Sequence, residues 1–89
     1  MPSREVEIVN KLGLHARAAA RLVALAGEHE ASVEIEYNGQ RVNAKSIMGV
    51  MMLAAARGAR ITLHAEGADA EAALDRLETL IQRRFDEPE

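Results

Sequence analysis

The spacing of hydrophobic residues along this chain switches repeatedly between two residues and 3.6 residues, and the order of these switches constrains the fold most strongly. Residues 4–9 alternate as a half-buried strand does, with Val6 and Ile8 on one face. Residues 16 to about 26 place their apolar side chains at helical spacing, and Gly27 follows as a stop signal. The sequence therefore predicts a strand followed by a helix.

A hairpin is predicted next. Residues 32–37 alternate between polar and apolar side chains, and Asn38 and Gly39 separate them from a second short run, residues 40–43. Both central positions of a type I′ turn require a positive φ, which Asn and Gly adopt most readily. These residues therefore predict two antiparallel strands joined by a two-residue turn.

Three further elements complete the pattern. Residues 47–54 predict a short apolar helix with Ser46 as its N-cap, and residues 60–66 predict a strand by their alternation. Residues 69–84 have the spacing of an amphipathic helix, and residues 86–89 are expected to form a frayed tail.

The order of elements is β-α-β-β-α-β-α, which predicts a single α+β domain over residues 1–89, because a chain of this length supports only one core. The simplest arrangement is an open-faced sandwich, a four-stranded and mostly antiparallel sheet with the two longer helices packed on one face. The other face of the sheet, which is rich in glutamate, is left to solvent.

The composition excludes several classes of protein. Tyr37 and Phe85 are the only aromatic residues and the net charge is −3, so the chain lacks the stacking rings and clustered cations of nucleic-acid-binding domains. The absence of cysteine excludes disulfides, thiolate zinc sites and a thiol nucleophile. The missing cysteines fit a reducing cytoplasm, and because the sequence has neither a signal peptide nor a run of about 18 apolar residues, we expect a soluble cytoplasmic protein that does not enter a membrane. No pattern indicates an oligomer or a cofactor, so we expect a monomer that uses none.

His15 lies at the junction between a loop and the first turn of the first helix. The backbone N–H groups of Ala16, Arg17 and Ala18 have no partners inside that helix, so this end can hold an anion. A neutral imidazole can use a free ring nitrogen as a nucleophile toward phosphorus, and Arg17 can share the phosphoryl charge. Gly13 permits a sharp bend before the ring. An idle or helix-capping histidine would give the same pattern, and these residues alone leave both interpretations open.

No other catalytic or metal-binding pattern is present. The three histidines, His15, His29 and His64, lack the spacing of metal ligands, so the sequence predicts no metal site. We expect His29 and His64 to be ordinary surface residues. None of the serines lies in a nucleophile-elbow sequence.

Two segments resemble one known family. Residues 13–19 read Gly-Leu-His-Ala-Arg-Ala-Ala and resemble the active-site motif of the HPr family, the histidine-containing phosphocarrier proteins of the bacterial phosphotransferase system. Residues 45–53 are similar to the regulatory serine motif of that family. The distance between the motifs, the length and the order of elements are also similar, so the resemblance covers essentially the whole chain. Ala18 stands where the family usually has proline, and we expect the chemistry to survive this change.

The resemblance implies a phosphoryl carrier and not an enzyme with its own turnover. It implies that His15 accepts a phosphoryl group on Nδ1 from phosphorylated Enzyme I and passes it to EIIA components of sugar permeases or regulators, while Arg17 stabilises the phosphate. It further implies regulatory phosphorylation of Ser46 by an ATP-dependent kinase, the HPr kinase/phosphorylase, in hosts that have one.

The short helix at residues 47–54 carries more apolar side chains than one of its faces can bury. We expect Val50 and Leu53 to lie in the core, and we expect some of the others to face outward, because flexible methionines suit surfaces that meet several partners. The predicted docking patch beside His15 consists of Leu14, Ile47, Met48 and Met51, with a positive rim of Arg17, Arg21 and Lys45.

The main alternative is a regulatory binding module that controls transcription factors or kinases through its phosphorylation state, with sugar transport secondary. His15 favours phosphoryl transfer, because a purely regulatory relative would not need the imidazole. A small RNA-binding or ligand-binding domain is disfavoured by the missing aromatic residues and by the absence of a glycine-rich phosphate loop.

Overall fold

Strands and helices follow one another in the order that the hydrophobic spacing predicts. A computed structural model describes residues 2–88. Within that range the elements are β1 (Ser3–Glu7), α1 (Ala16–Gly27), β2 (Ser32–Tyr37), β3 (Gln40–Asn43), α2 (Ile47–Met52), β4 (Arg60–Glu66) and α3 (Ala70–Gln82), followed by a short left-handed turn at Arg84–Asp86.

The strands form one antiparallel sheet in the order β1-β4-β2-β3. β4 lies in the middle, where Ile61 is opposite Val6 of β1 and Leu63 is opposite Ile35 of β2. Asn38 and Gly39 have φ values of 54° and 84°, so both centres of the hairpin turn are left-handed, as predicted.

Alternation along the strands sends one set of side chains into the core. α3 packs against β1, β4 and β2, and α1 packs beside α3 and α2. The alanines of α1 at its buried positions allow these close approaches, and Val50 of α2 is fully buried at the edge of the same cluster. The opposite face of the sheet is polar and carries ion pairs such as Arg41 with Glu34 (2.7 Å) and Arg60 with Glu5 (3.2 Å). The α+β open-faced sandwich is therefore confirmed.

Two helices are shorter than predicted. α2 ends at Met52 because Ala54 has a φ of 53°, which stops a right-handed helix. α3 ends at Gln82 because Arg84 has a φ of 60°. Within residues 2–88, no helix is both apolar enough and long enough to cross a membrane.

His29 is buried, and its prediction as a surface residue was wrong. Only 9% of the residue is exposed; its Nδ1 lies 3.0 Å from Oδ2 of Asp69, and Arg76 Nη1 lies 3.2 Å from its Nε2. The Asp69 carboxylate also accepts hydrogen bonds from the backbone N–H groups of Ala31 (2.8 Å) and Glu30 (3.1 Å). These bonds lower the pKa of Asp69 below its ordinary value, and the bond from Ala31 has the largest effect. The sequence hides this contact because Asp69 is 40 residues away along the chain.

Candidate functional site

His15 is the N-cap residue of α1. Its backbone is extended (φ −74°, ψ 177°) and its carbonyl accepts the N–H of Ala19 at 2.8 Å, which is the first bond of the helix. Its ring makes no hydrogen bond to the first turn. The N–H groups of Ala16, Arg17 and Ala18 precede the first helical bond and so have no carbonyl to meet within the helix. The histidine begins the helix with its backbone alone and leaves its ring available.

The loop before His15 depends on Gly13. This glycine has a φ of 64°, and a Cβ atom placed on it would lie 2.5 Å from the carbonyl oxygen of Ala55. The next residue, Leu14, donates its N–H to that same oxygen at 2.9 Å. Only glycine fits both the left-handed backbone and the close approach, so the predicted sharp bend is confirmed.

The His15 ring is held from one side by the C-terminal segment. Nε2 of His15 lies 2.6 Å from Oε2 of Glu87, and the side chains of the two residues are 26% and 9% exposed. The other carboxylate oxygen of Glu87 accepts a hydrogen bond from Nδ2 of Asn10 at 3.1 Å. The same Nδ2 also donates a hydrogen bond to the carbonyl of Gly13 at 2.8 Å. Among residues 2–88, Nδ1 of His15 makes no hydrogen bond, so it is the open nitrogen of the ring.

The chain reaches Glu87 through a left-handed turn. Arg84, Phe85 and Asp86 have φ values of 60°, 55° and 63°. Such a backbone costs roughly 1–2 kcal/mol for each residue other than glycine, and the complete burial of the Phe85 ring offsets part of that cost. Arg21 donates a hydrogen bond to the Phe85 carbonyl.

The expectation of a frayed tail was therefore wrong for residues 86–88, while Glu89 lies outside the described residues. Sequence reasoning missed both Glu87 and Asn10, because neither belongs to a periodic pattern. The available signal was Phe85, a large aromatic side chain in a segment that otherwise looks disordered.

A cleft of about 690 Å³ opens beside the ring. Its walls are formed by Lys11, Leu12, His15, Ala16, Arg17, Glu87 and Pro88. Arg17 is exposed, and the structure of residues 2–88 gives it neither an ion pair nor a hydrogen bond. The cleft therefore combines an open imidazole nitrogen, a free guanidinium and the positive end of α1, a combination suited to a phosphoryl group.

Ser46 caps α2 as predicted. Its Oγ accepts the N–H of Gly49 at 3.2 Å, and its backbone N–H donates to the Asn43 carbonyl at 3.0 Å. The hydroxyl belongs to a partly buried residue, unlike the neighbouring Ile47 and Met48, which are exposed.

The apolar side chains of α2 and of the loop before His15 divide into exposed and buried ones. Ile47, Met48 and Met51 are 40%, 68% and 39% exposed, whereas Val50 and Leu53 are buried as expected. Leu14 is only 5% exposed and belongs to the hydrophobic core, so its assignment to the surface was wrong. Two exposed apolar residues were missed, namely Leu12 at 66% and Met52 at 73%. Leu12 replaces Leu14 as the apolar side chain that borders the cleft.

Two of the three predicted rim cations have internal partners. Arg21 donates to the Phe85 carbonyl, and Nζ of Lys45 donates to the His29 carbonyl at 2.8 Å. Both residues therefore tie loops together, and their part in docking stays a prediction. Arg17 remains the rim cation beside His15.

Neither of the other two histidines lines this cleft. His64 lies on the polar face of the sheet, where its Nε2 is 2.8 Å from Oε1 of Glu36. Over residues 2–88, no three side chains of His, Cys, Asp or Glu come together in a way that could hold a metal ion.

Known proteins match this chain along its whole length. A family model described as the PTS HPr component phosphorylation site matches residues 2–83. The chain is 53% identical to phosphocarrier protein HPr of Cupriavidus necator and 51% identical to that of Pseudomonas aeruginosa, with both chains covered completely in each comparison. The crystal structure of HPr-C-His from Thermoanaerobacter tengcongensis superimposes with a TM-score of 0.96 at 43% identity, again over all of both chains. The chain belongs to the HPr family of phosphocarrier proteins of the phosphotransferase system.

Proposed function

We propose that this protein carries a phosphoryl group on Nδ1 of His15, which it receives from phosphorylated Enzyme I and delivers to EIIA components. The observation that carries the proposal is the engagement of Nε2 by Glu87, which leaves Nδ1 as the open nitrogen beside Arg17. The protein is a reactant that is charged and discharged, so it needs neither a cofactor nor a turnover of its own.

The transfer balances without a separate acid or base. The lone pair of Nδ1 forms a bond to phosphorus while the bond between phosphorus and the donor atom breaks, and that electron pair stays with the donor. The proton on Nε2 remains in place. Arg17 and the N–H groups of the first turn of α1 stabilise the charge on the phosphoryl oxygens.

Partners dock on the exposed apolar patch, which we define as Leu12, Ile47, Met48, Met51 and Met52. These side chains are at least 39% exposed, and methionines adapt to surfaces of different shape. Arg17 at the edge of the patch attracts acidic partners. In this proposal the protein works as a cytoplasmic monomer.

Ser46 is the proposed site of regulatory phosphorylation by a serine kinase. A phosphate there would add a charge of about −1.5 to −2 directly before Ile47 and Met48 of the patch. The added charge opposes acidic partners, so phosphorylation of Ser46 weakens docking to Enzyme I. No observation favours the alternative of a purely regulatory module.

The carrier function is tested by incubating the protein with phosphoenolpyruvate and Enzyme I and counting added phosphates by mass spectrometry. We expect one phosphate that is lost in acid and survives base, as phosphohistidine does. His15→Ala abolishes it, while Ser46→Ala and the matched control His64→Ala retain it. An adduct that persists in His15→Ala would overturn the proposal.

A further inference from the structure

Glu87 makes a contact that the carrier function does not by itself require. Its carboxylate lies 2.6 Å from Nε2 of His15, a short hydrogen bond in which the ionised acceptor strengthens the contact. A carboxylate has no hydrogen to donate, so Nε2 must carry the proton of this bond. In a neutral ring the lone pair then resides on Nδ1. The contact therefore selects the tautomer whose Nδ1 is nucleophilic.

We infer that Glu87 is a positioning residue for His15, which fixes this tautomer and the orientation of the ring and balances the positive charge that the ring gains on phosphorylation. This inference rests on the proposed function and adds to it a residue from the C-terminal segment. The Glu87 side chain contacts Nε2 of His15, whereas the phosphoryl group binds Nδ1.

Glu87 is itself held firmly. Its side chain is 9% exposed, and each of its oxygens has a partner, Nε2 of His15 on one side and Nδ2 of Asn10 on the other. Asn10 is fully buried and also bonds the Gly13 carbonyl, so the carboxylate is tied to the loop that leads into His15. The buried Phe85 anchors the segment two residues earlier. A carboxylate with its own supports can hold a ring in one orientation.

The charge balance supports the same role. When Nδ1 forms its bond to phosphorus, a neutral ring that keeps its Nε2 proton becomes cationic. The carboxylate that accepts this proton then faces a full positive charge across a short hydrogen bond. Glu87 therefore interacts more strongly with the phosphorylated ring than with the free one, which is the condition for assisting the transfer.

Two other roles for the contact lead to different results. A latch that blocks the cleft would slow phosphorylation, so its removal would speed the reaction. A purely structural tether would change thermal stability without changing the rate at saturation. The positioning role predicts a lower kcat with an unchanged KM, because the docking patch does not include Glu87.

The experiment compares wild type with Glu87→Gln, Glu87→Asp and the matched control Glu66→Gln, which removes an exposed carboxylate at the end of β4. Phosphorylation is measured against the concentration of the carrier, with Enzyme I and phosphoenolpyruvate supplied. We expect Glu87→Gln to lower kcat about 10-fold with KM within about twofold of wild type, by analogy with the carboxylates that orient metal-binding histidines. Glu87→Asp should recover part of the rate, and Glu66→Gln should match wild type.

Nuclear magnetic resonance tests the contact without any phosphoryl transfer. The Nε2–H proton of His15 should be visible in wild type, since a hydrogen bond slows its exchange with water, and should weaken in Glu87→Gln. An unchanged kcat in Glu87→Gln would overturn the inference, as would an unchanged Nε2–H signal or faster phosphorylation. A wild-type protein that takes no phosphate would instead overturn the proposed function, and the Nε2–H signal would still decide the role of Glu87.

Discussion

His15 and Ser46 both stand at the start of a helix, but their side chains have different partners. Ser46 turns its hydroxyl back to the N–H of Gly49 and closes the first turn of α2. His15 makes no such bond, and its ring is held instead by Glu87 from the other end of the chain. The first turn of α1 therefore has no bond to its N-cap side chain and can meet a phosphoryl group, whereas one N–H of the first turn of α2 already bonds its cap. The N–H groups at the start of α1 stay available to an anion because the side chain of His15 is held by Glu87 and not by its own helix.

The largest expected effect on stability and on phosphorylation comes from removing Phe85, which anchors the C-terminal segment that holds the His15 ring. Phe85→Ala deletes a fully buried ring and should lower the free energy of unfolding by about 3–5 kcal/mol. Glu87 should then leave His15, so phosphorylation slows while the Ser46 cap persists. Urea unfolding and the rate of phosphorylation by Enzyme I measure the two effects.

Phe85→Leu is the matched variant, because it keeps an apolar anchor in the same place. It should lose less stability and retain most of the rate. A Phe85→Ala protein that reacts at the wild-type rate would show that the ring of His15 does not depend on the C-terminal segment.

The second effect concerns the loop that carries His15. Gly13→Ala places a methyl group against the Ala55 carbonyl in a left-handed backbone, which should cost about 2 kcal/mol or more. Phosphorylation should slow as well, because the ring moves with the loop. Gly27→Ala is the control, since a Cβ atom there meets nothing within 4 Å. Equal unfolding midpoints for the two variants would contradict the proposed strain.

Smaller effects are expected from substitutions of Ser46, and they distinguish its role as a helix cap from its proposed role in docking. Ser46→Ala should cost about 1 kcal/mol, because the Gly49 N–H loses its acceptor, and Ser46→Gly only a few tenths. Ser46→Asp restores a good cap and should unfold close to wild type. Its negative charge beside Ile47 and Met48 should nevertheless raise the KM for phosphorylation by Enzyme I. A Ser46→Asp protein with the wild-type KM would remove the proposed regulatory role.

The sequence predicts the repeating elements of this fold well and its single contacts poorly. Strand and helix positions follow from hydrophobic spacing, and the Asn38-Gly39 turn follows from the φ values that only certain residues tolerate. His15 and Arg17 are singled out by their place at a helix start together with the motif that residues 13–19 resemble, and their roles stay predictions. Glu87, Asn10 and the burial of His29 could not be predicted in the same way, since each depends on a partner far along the chain.

Leu14 and Leu12 show that the sequence also fails to predict the burial of side chains close together along the chain. Both are leucines in one loop, and the sequence alone gives no reason to bury the first and expose the second. Gly13 lies between them with a left-handed backbone at the end of a turn, and there Leu14 joins the core while Leu12 borders the cleft. A pattern of residues predicts which side chains are apolar, whereas the bend decides which of them meets water.

Asp69 extends the comparison to the start of α3, where the smallest effect is expected. Its side chain makes no cap bond to its own helix and binds the N–H groups of Ala31 and Glu30 together with His29. These bonds, led by that from Ala31, lower the pKa of Asp69 in the folded state, so the carboxylate contributes stability above about pH 4, the pKa of an unfolded aspartate. That contribution is lost as the pH falls through the lower folded pKa. Asp69→Asn should therefore unfold at a lower urea concentration than wild type at pH 7, and this difference between the two proteins should shrink below pH 4. A difference that stayed constant with pH would mean that the charge of Asp69 is not what ties the α1–β2 loop to α3.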